Sequence, residues 1–113
     1  MTLTITDLAT EVMQELGVLE ANDTPSAEDA LIVQTAYQQW RRNAQNRQII
    51  DWYSDDEEIP DGAERGVVLC VCNEVHRKFL VPRDPAWIIE GEAALSDYRT
   101  IHFPSPQTKV VNY

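Results

Sequence analysis

The feature that most constrains this chain is a helical spacing of apolar residues that starts and stops four times between residues 5 and 98. Apolar residues three and four positions apart share one face of an α-helix, whereas a half-buried strand would alternate apolar and polar residues. The interruptions carry residues that end or begin helices, namely Gly17, Pro25, Pro82 and Pro85. The pattern therefore predicts an all-α fold, a small bundle of about four helices with an extended C-terminal arm.

The first two helices are delimited by their caps. We place the first over about residues 6–16, with Thr6 as its N-cap and Gly17 as the left-handed residue that ends it. The second starts after the candidate caps Thr24 and Ser26 and continues for about four turns. Its predicted buried stripe is Ala30, Val33, Tyr37, Trp40 and Ala44. Its predicted polar face is Gln34, Gln38, Arg41 and Gln45.

The third helix, predicted over about residues 62–80, should be central because its inner face is almost wholly apolar. Asp61 and Glu64 form a candidate capping pair at its start. Asp84 followed by Pro85 predicts the start of a shorter fourth helix, which should end at about residue 98.

Charge is distributed unevenly along the chain. The 19 acidic and 9 basic side chains give a net charge of −10, which opposes binding to nucleic acid or to anionic lipid. Two charged sets are our candidates for subunit contacts: the acids Asp7, Glu11 and Glu15, and the bases Arg41, Arg42 and Arg47. The bases can cap the second helix and pair with acids of their own chain, or they can meet the acidic first helix of a neighbour. The second arrangement is head-to-tail and favours a ring.

A run of four carboxylates, Asp55, Asp56, Glu57 and Glu58, lies in the predicted loop between the second and third helices. The run lacks the alternating ligands and the turn glycine of an EF-hand, so calcium binding is not predicted. It can be a solvated loop, or it can face a channel whose wall repels DNA so that the DNA slides.

No catalytic or metal-binding constellation is predicted. Cys70 and Cys72 are two residues apart on a helix and cannot grip one tetrahedral ion, so we interpret them as core residues. We interpret His76 and His102 as single histidines and predict no metal site at either. Phosphate loops, nucleophile elbows and HExxH motifs are absent, so we expect no enzyme, no cofactor and no metal. The absence of a long apolar run and of a leader predicts a soluble protein without a membrane partner.

The C-terminal segment differs from the helical part. We assign residues 1–99 to one helical domain and residues 100–113 to the arm, which has two prolines and no helical period. Its candidate docking residues are Ile101, Phe103, Pro104, Val110, Val111 and Tyr113. A solvated terminus would seldom carry so many apolar residues, so the favoured interpretation is an arm that docks on another chain, with a disordered terminus as the alternative.

Three segments in this order are similar to a known family: DLATEVMQELGV, SAEDALIVQTAYQQW and SDDEEIPDGAERGV. They resemble the tail accessory factors of short-tailed phages, which are head-to-tail connectors that complete the head. The resemblance implies a structural virion protein that assembles in the host cytoplasm as a twelve-subunit ring. It also implies that the arm binds the portal protein, that the lower face meets a tail or nozzle protein, and that DNA passes through the centre.

Two other classes stay open. An acidic phage or prophage protein can mimic DNA and block a nuclease or a repressor, but its acids should then follow one face at phosphate-like spacing. Here they concentrate in the first 29 residues and in residues 51–64. The remaining alternative is a helical scaffold of no further specificity.

Overall fold

The computed structural model describes residues 3–50, 59, 60 and 62–102. Within them the chain forms four α-helices: α1 (Ile5–Leu16), α2 (Ala27–Asn46), α3 (Glu64–Val75) and α4 (Pro85–His102). A short 3-10 helix, His76–Phe79, continues α3. The predicted all-α bundle is confirmed.

The centre of the bundle is α3, which packs against α1, α2 and α4. Eight of its twelve residues are buried, because apolar or small side chains occur on all of its faces rather than on one stripe. The buried set is Gly66, Val67, Val68, Leu69, Cys70, Val71, Cys72 and Val75.

The ends of α1 follow local capping chemistry, with one correction. The N-cap is Thr4 and not Thr6, since the Thr4 hydroxyl accepts a hydrogen bond from the amide of Asp7 at 3.1 Å. Gly17 has a left-handed φ of 81°. The amides of Gly17 and Val18 donate to the carbonyls of Gln14 and Met13, each at 3.1 Å, which is the predicted Schellman end.

Helix α2 starts at the N-cap Ser26, whose hydroxyl accepts from the amide of Asp29 at 3.1 Å. Pro25 therefore precedes the cap instead of occupying the first turn. The predicted stripe is buried, apart from Ala30, which is half-buried. Beyond the C-terminal end, Gln48 adopts a left-handed φ of 60°.

Helix α3 is shorter than predicted at its C-terminal end. It ends at Val75 and tightens into the 3-10 turn, after which Leu80 adopts a left-handed φ of 58°. Its N-cap, Ala63, makes no side-chain hydrogen bond, and the predicted capping residue Asp61 lies outside the described residues.

Helix α4 begins as predicted and ends later. The carboxylate of Asp84 accepts from the amide of Ala86 at 3.0 Å, so Asp84 caps the helix that Pro85 opens. The helix continues to His102, and Ile101 therefore lies in its last turn, although we predicted that it belongs to the arm.

Two glycines bring α3 and α4 close together. A Cβ atom added to Gly66 would lie 2.7 Å from Cγ of Leu95 and 3.0 Å from the carbonyl oxygen of Gly91. A Cβ added to Gly91 would lie 2.8 Å from Sγ of Cys70. The helix crossing therefore has no room for a methyl group on either side.

The residues on either side of the acidic run lie in the core. Ile50, before the run, is buried, and Ile59, after it, is fully buried. Ile59 pairs with Leu3 in an isolated antiparallel bridge, in which the two amide donors are 3.2 and 2.7 Å from their acceptors. Both flanking residues are thus held in the bundle.

Candidate interaction surfaces

The predicted arginine cluster is divided by the fold. Arg41, which we placed on the polar face of α2 and among the subunit contacts, is only 4% exposed, and its Nη1 donates to Oε1 of Gln45 at 2.9 Å. Arg47 is exposed and lies 3.5 Å from a carboxylate oxygen of Glu92 on α4. Arg42 is exposed. Burial makes Arg41 a structural residue, and Arg47 has a partner in its own chain.

The three predicted acids of α1 also differ from one another. Asp7 and Glu11 are exposed. Glu15 is half-buried and binds the guanidinium of Arg65 on α3 through two contacts, at 2.5 and 3.3 Å. The hydrogen bond to Glu15 is the main reason that the pKa of Arg65 is raised. Since Glu15 is engaged within the chain, Asp7 and Glu11 are the acids of this set that are exposed on α1.

Two further sets of predicted site residues are not placed by the structure. The acidic run Asp55, Asp56, Glu57 and Glu58 lies outside the described residues. So do the arm residues Phe103, Pro104, Val110, Val111 and Tyr113. Their functions stay predictions.

A surface that sequence reasoning missed follows the end of α3. Arg77, Lys78 and Arg83 are exposed, and no acidic residue occurs between residues 75 and 83. Among the described residues, none forms an ion pair with any of the three. Leu80 lies between them and is 93% exposed. We call these four residues the basic tip.

The basic tip is held in place by the turn beneath it. The amide of Val81 donates to the carbonyl of His76 at 2.9 Å, and Nδ1 of His76 lies 2.9 Å from the carbonyl oxygen of Val81. The His76 ring also packs beside Trp87, with ring centres 5.8 Å apart. His76 therefore has a structural function in fixing the segment that displays Leu80.

A groove of about 430 Å³ lies between α2 and the end of α3. From α2 it is lined by the apolar residues Leu31, Ile32, Ala36 and Trp40 and by the polar residues Thr35, Gln39 and Asn43, and from the other side by Glu74 and Lys78. The groove therefore reaches one residue of the basic tip and an exposed acid beside it.

The cysteines do not form a reactive site. Cys70 and Cys72 are buried, and burial raises the pKa of each thiol to about 12. Sγ of Cys72 donates to the carbonyl of Val12 at 3.6 Å. At neutral pH both thiols are protonated, as expected for core residues.

Among the described residues, no three histidine, cysteine, aspartate or glutamate side chains come close enough to share a metal ion. No helix in the described part of the chain is both long and apolar enough to span a bilayer.

Comparison with known proteins gives no relative. No family model matches the chain, no curated protein matches it significantly, and no solved structure matches it significantly.

Proposed function

We propose that this chain is a structural virion protein, a head-to-tail adaptor that forms a ring under the portal protein. The ring completes the head and joins it to a tail or nozzle protein around a central channel for DNA. The resemblance of the three sequence segments quoted above to tail accessory factors suggests this function, and the distribution of charge on the folded domain supports it.

The observation that carries the proposal is the presence of two segments with exposed charges of opposite sign. Residues 3–29, which include α1, carry exposed acids and no base, whereas residues 76–83, which follow α3, carry three exposed bases and no acid. A contact between two unlike patches is heterologous, and repeated heterologous contacts close into a ring when the rotation allows it. A ring adaptor needs this kind of contact.

The fixed residues on either side of the acidic run support the proposal of a central channel for DNA. Ile50 and Ile59, which flank the acidic run, are both buried and so have fixed positions in the bundle. In a ring, each subunit would then present its carboxylates at the same height. A repeated acidic surface repels phosphates, so DNA passes without binding to the channel wall.

Truncation of the arm tests the proposal. Because α4 continues to His102, the chain should be ended after that residue, which leaves the helix complete. We expect the truncated protein to keep its helical circular dichroism and thermal transition and to lose binding to the portal protein of the same phage. Burial of each large apolar side chain of the arm would supply about 1.5–3 kcal/mol in that contact, and the ring would multiply it.

The matched control keeps the full length of the chain. Phe103, Val110, Val111 and Tyr113 are replaced together by serine, which removes the apolar contacts but not the backbone. Native mass spectrometry of each protein, alone and mixed with the portal, measures both ring and attachment. Attachment of either variant at full strength would contradict the function of the arm. A wild-type chain that binds no portal and blocks a DNA-binding protein would instead support the DNA mimic.

A further inference from the structure

We propose that the basic tip of one subunit docks on the acidic end of α1 in a second copy of this chain. The inference deepens the proposed function and rests on it, because it assigns the surfaces of the head-to-tail contact. It replaces the arginines at the end of α2, of which Arg41 is buried and Arg47 is paired with Glu92.

The first argument is the identity of the residue at position 80. A left-handed residue that ends a helix is usually glycine, because a Cβ atom is disfavoured there. Here the residue is Leu80, with φ at 58°, and its side chain is 93% exposed. A single exposed leucine is common on protein surfaces, but this one also occupies a backbone conformation that disfavours its Cβ atom, so the position is unfavourable for the isolated subunit on two counts.

The second argument is the charge around Leu80. Arg77, Lys78 and Arg83 are exposed cations on a chain with a net charge of −10. An acidic surface attracts these cations, and an apolar residue on that surface can cover Leu80. The occupant should be an acidic protein surface of that composition.

The chain itself carries such a surface at the end of α1. Val18 is 40% exposed, and Glu20 and Asp23 follow it in a turn closed by a hydrogen bond between them at 3.1 Å. Glu11 is exposed within the last two turns of α1. We call Glu11, Val18, Glu20 and Asp23 the acidic face.

The two surfaces match in composition. Each has one exposed aliphatic side chain and three charges, of opposite sign in the two cases. The acidic face is also held in shape, because Nε2 of Gln14 donates to the carbonyl of Ala21 at 3.2 Å. Among the described residues none covers Leu80, which is 93% exposed, so its apolar side chain is open to a second copy.

Substitution of Leu80 separates docking from folding. Leu80→Gly relieves the left-handed backbone and removes the apolar contact. We expect a thermal transition at or above that of the wild type, with self-association weakened at least tenfold in sedimentation velocity. Gln48→Gly is the matched control, because Gln48 is also exposed and left-handed beyond a helix, at φ 60°. It should stabilise the fold similarly and leave self-association unchanged.

Charge reversal identifies the partner surface. The tip variant carries Arg77→Glu, Lys78→Glu and Arg83→Glu. The face variant carries Glu11→Lys, Glu20→Lys and Asp23→Lys. Each variant alone should be monomeric at concentrations where the wild type associates, because its two surfaces then carry charges of the same sign. An equimolar mixture should associate, because the acidic tip of one variant fits the basic face of the other, and the basic tip fits the acidic face. The control variant Glu28→Lys, Glu90→Lys and Asp97→Lys makes the same change of net charge as the face variant, at other exposed acids, and should still associate.

Three results would overturn this inference: a wild-type chain that stays monomeric at all concentrations, a tip variant that associates like the wild type, or a mixture that stays monomeric. The adaptor function is tested separately by binding to the portal. Self-association through the tip without portal binding would refute the adaptor alone, whereas portal binding by rings that tolerate the tip variant would refute the docking contact alone.

Discussion

Gly91→Ala is the substitution whose effect the structure defines most directly. A Cβ atom at this position would lie 2.8 Å from Sγ of Cys70, 3.1 Å from its amide nitrogen and 3.1 Å from the carbonyl oxygen of Gly66. Two of these three atoms belong to the backbone of α3, and the third is on a short, buried side chain. None of them can move aside alone, so the two helices must separate by a few tenths of an ångström.

Two opposite effects determine the change in the free energy of unfolding. Alanine is favoured over glycine within a helix by about 1 kcal/mol. An added carbon in a tightly packed core costs about 1–3 kcal/mol, and contacts with backbone atoms place this site in the upper half of that range. The expected net destabilisation is about 1–2 kcal/mol, which lowers the melting temperature of a chain of this size by roughly 4–8 °C.

Differential scanning calorimetry or thermal circular dichroism measures the shift. Ala93→Gly, at an exposed position of the same helix, is the control for helix propensity and should lose about 1 kcal/mol. In a Cys70→Ala background the contact with Sγ is gone, so Gly91→Ala should cost less than in the wild type. If Gly91→Ala instead raises the melting temperature by as much as Ala93→Gly lowers it, the helices have spare room and the packing argument is refuted.

Three further outcomes are expected. Arg41→Ala should cost about 1.5–3 kcal/mol because it removes a buried, charged hydrogen-bond donor, whereas the exposed Arg47→Ala should cost at most about 1 kcal/mol; equal losses in urea titrations would contradict the burial of Arg41. Cys70 and Cys72 should resist alkylation until the chain unfolds. Their pKa is raised from 9.0 to about 12, so the unfolded chain loses its thiol protons first. Stability should therefore be unaffected by these thiols below about pH 8 and should fall between about pH 9 and 12; alkylation of the native protein at neutral pH would disprove this. Neutralising residues 55–58 as Asn or Gln should alter DNA retention or ejection while assembly continues; normal retention and ejection would indicate a merely solvated loop.

Local interactions made the helices of this protein predictable. Caps and helical spacing act over three to five residues, so the sequence alone indicated the Schellman end at Gly17 and the cap at Asp84. The same reasoning identified the buried stripe of α2 and the two core cysteines. Its errors were shifts of a few residues. The N-cap of α1 is Thr4 and not Thr6, and α3 ends at Val75 and not at about residue 80, because neighbouring residues compete to begin or end a helix.

Other features were decided by tertiary structure, because they depend on which helices become neighbours. Arg41 lies on the face of α2 that the sequence makes polar, yet it is buried, which the helical spacing of α2 alone could not indicate. The close crossing at Gly66 and Gly91 joins residues 25 positions apart, which no local pattern relates. The basic tip was not predicted as a surface for the same reason. The helical spacing of the sequence predicts that α3 continues to about residue 80, whereas in the structure a 3-10 turn follows Val75 and Leu80 is exposed. The ring of His76, at the start of that turn, packs beside Trp87 of α4. The spacing of apolar residues determines where the helices form, whereas the exposure of each side chain depends on which other elements pack against it.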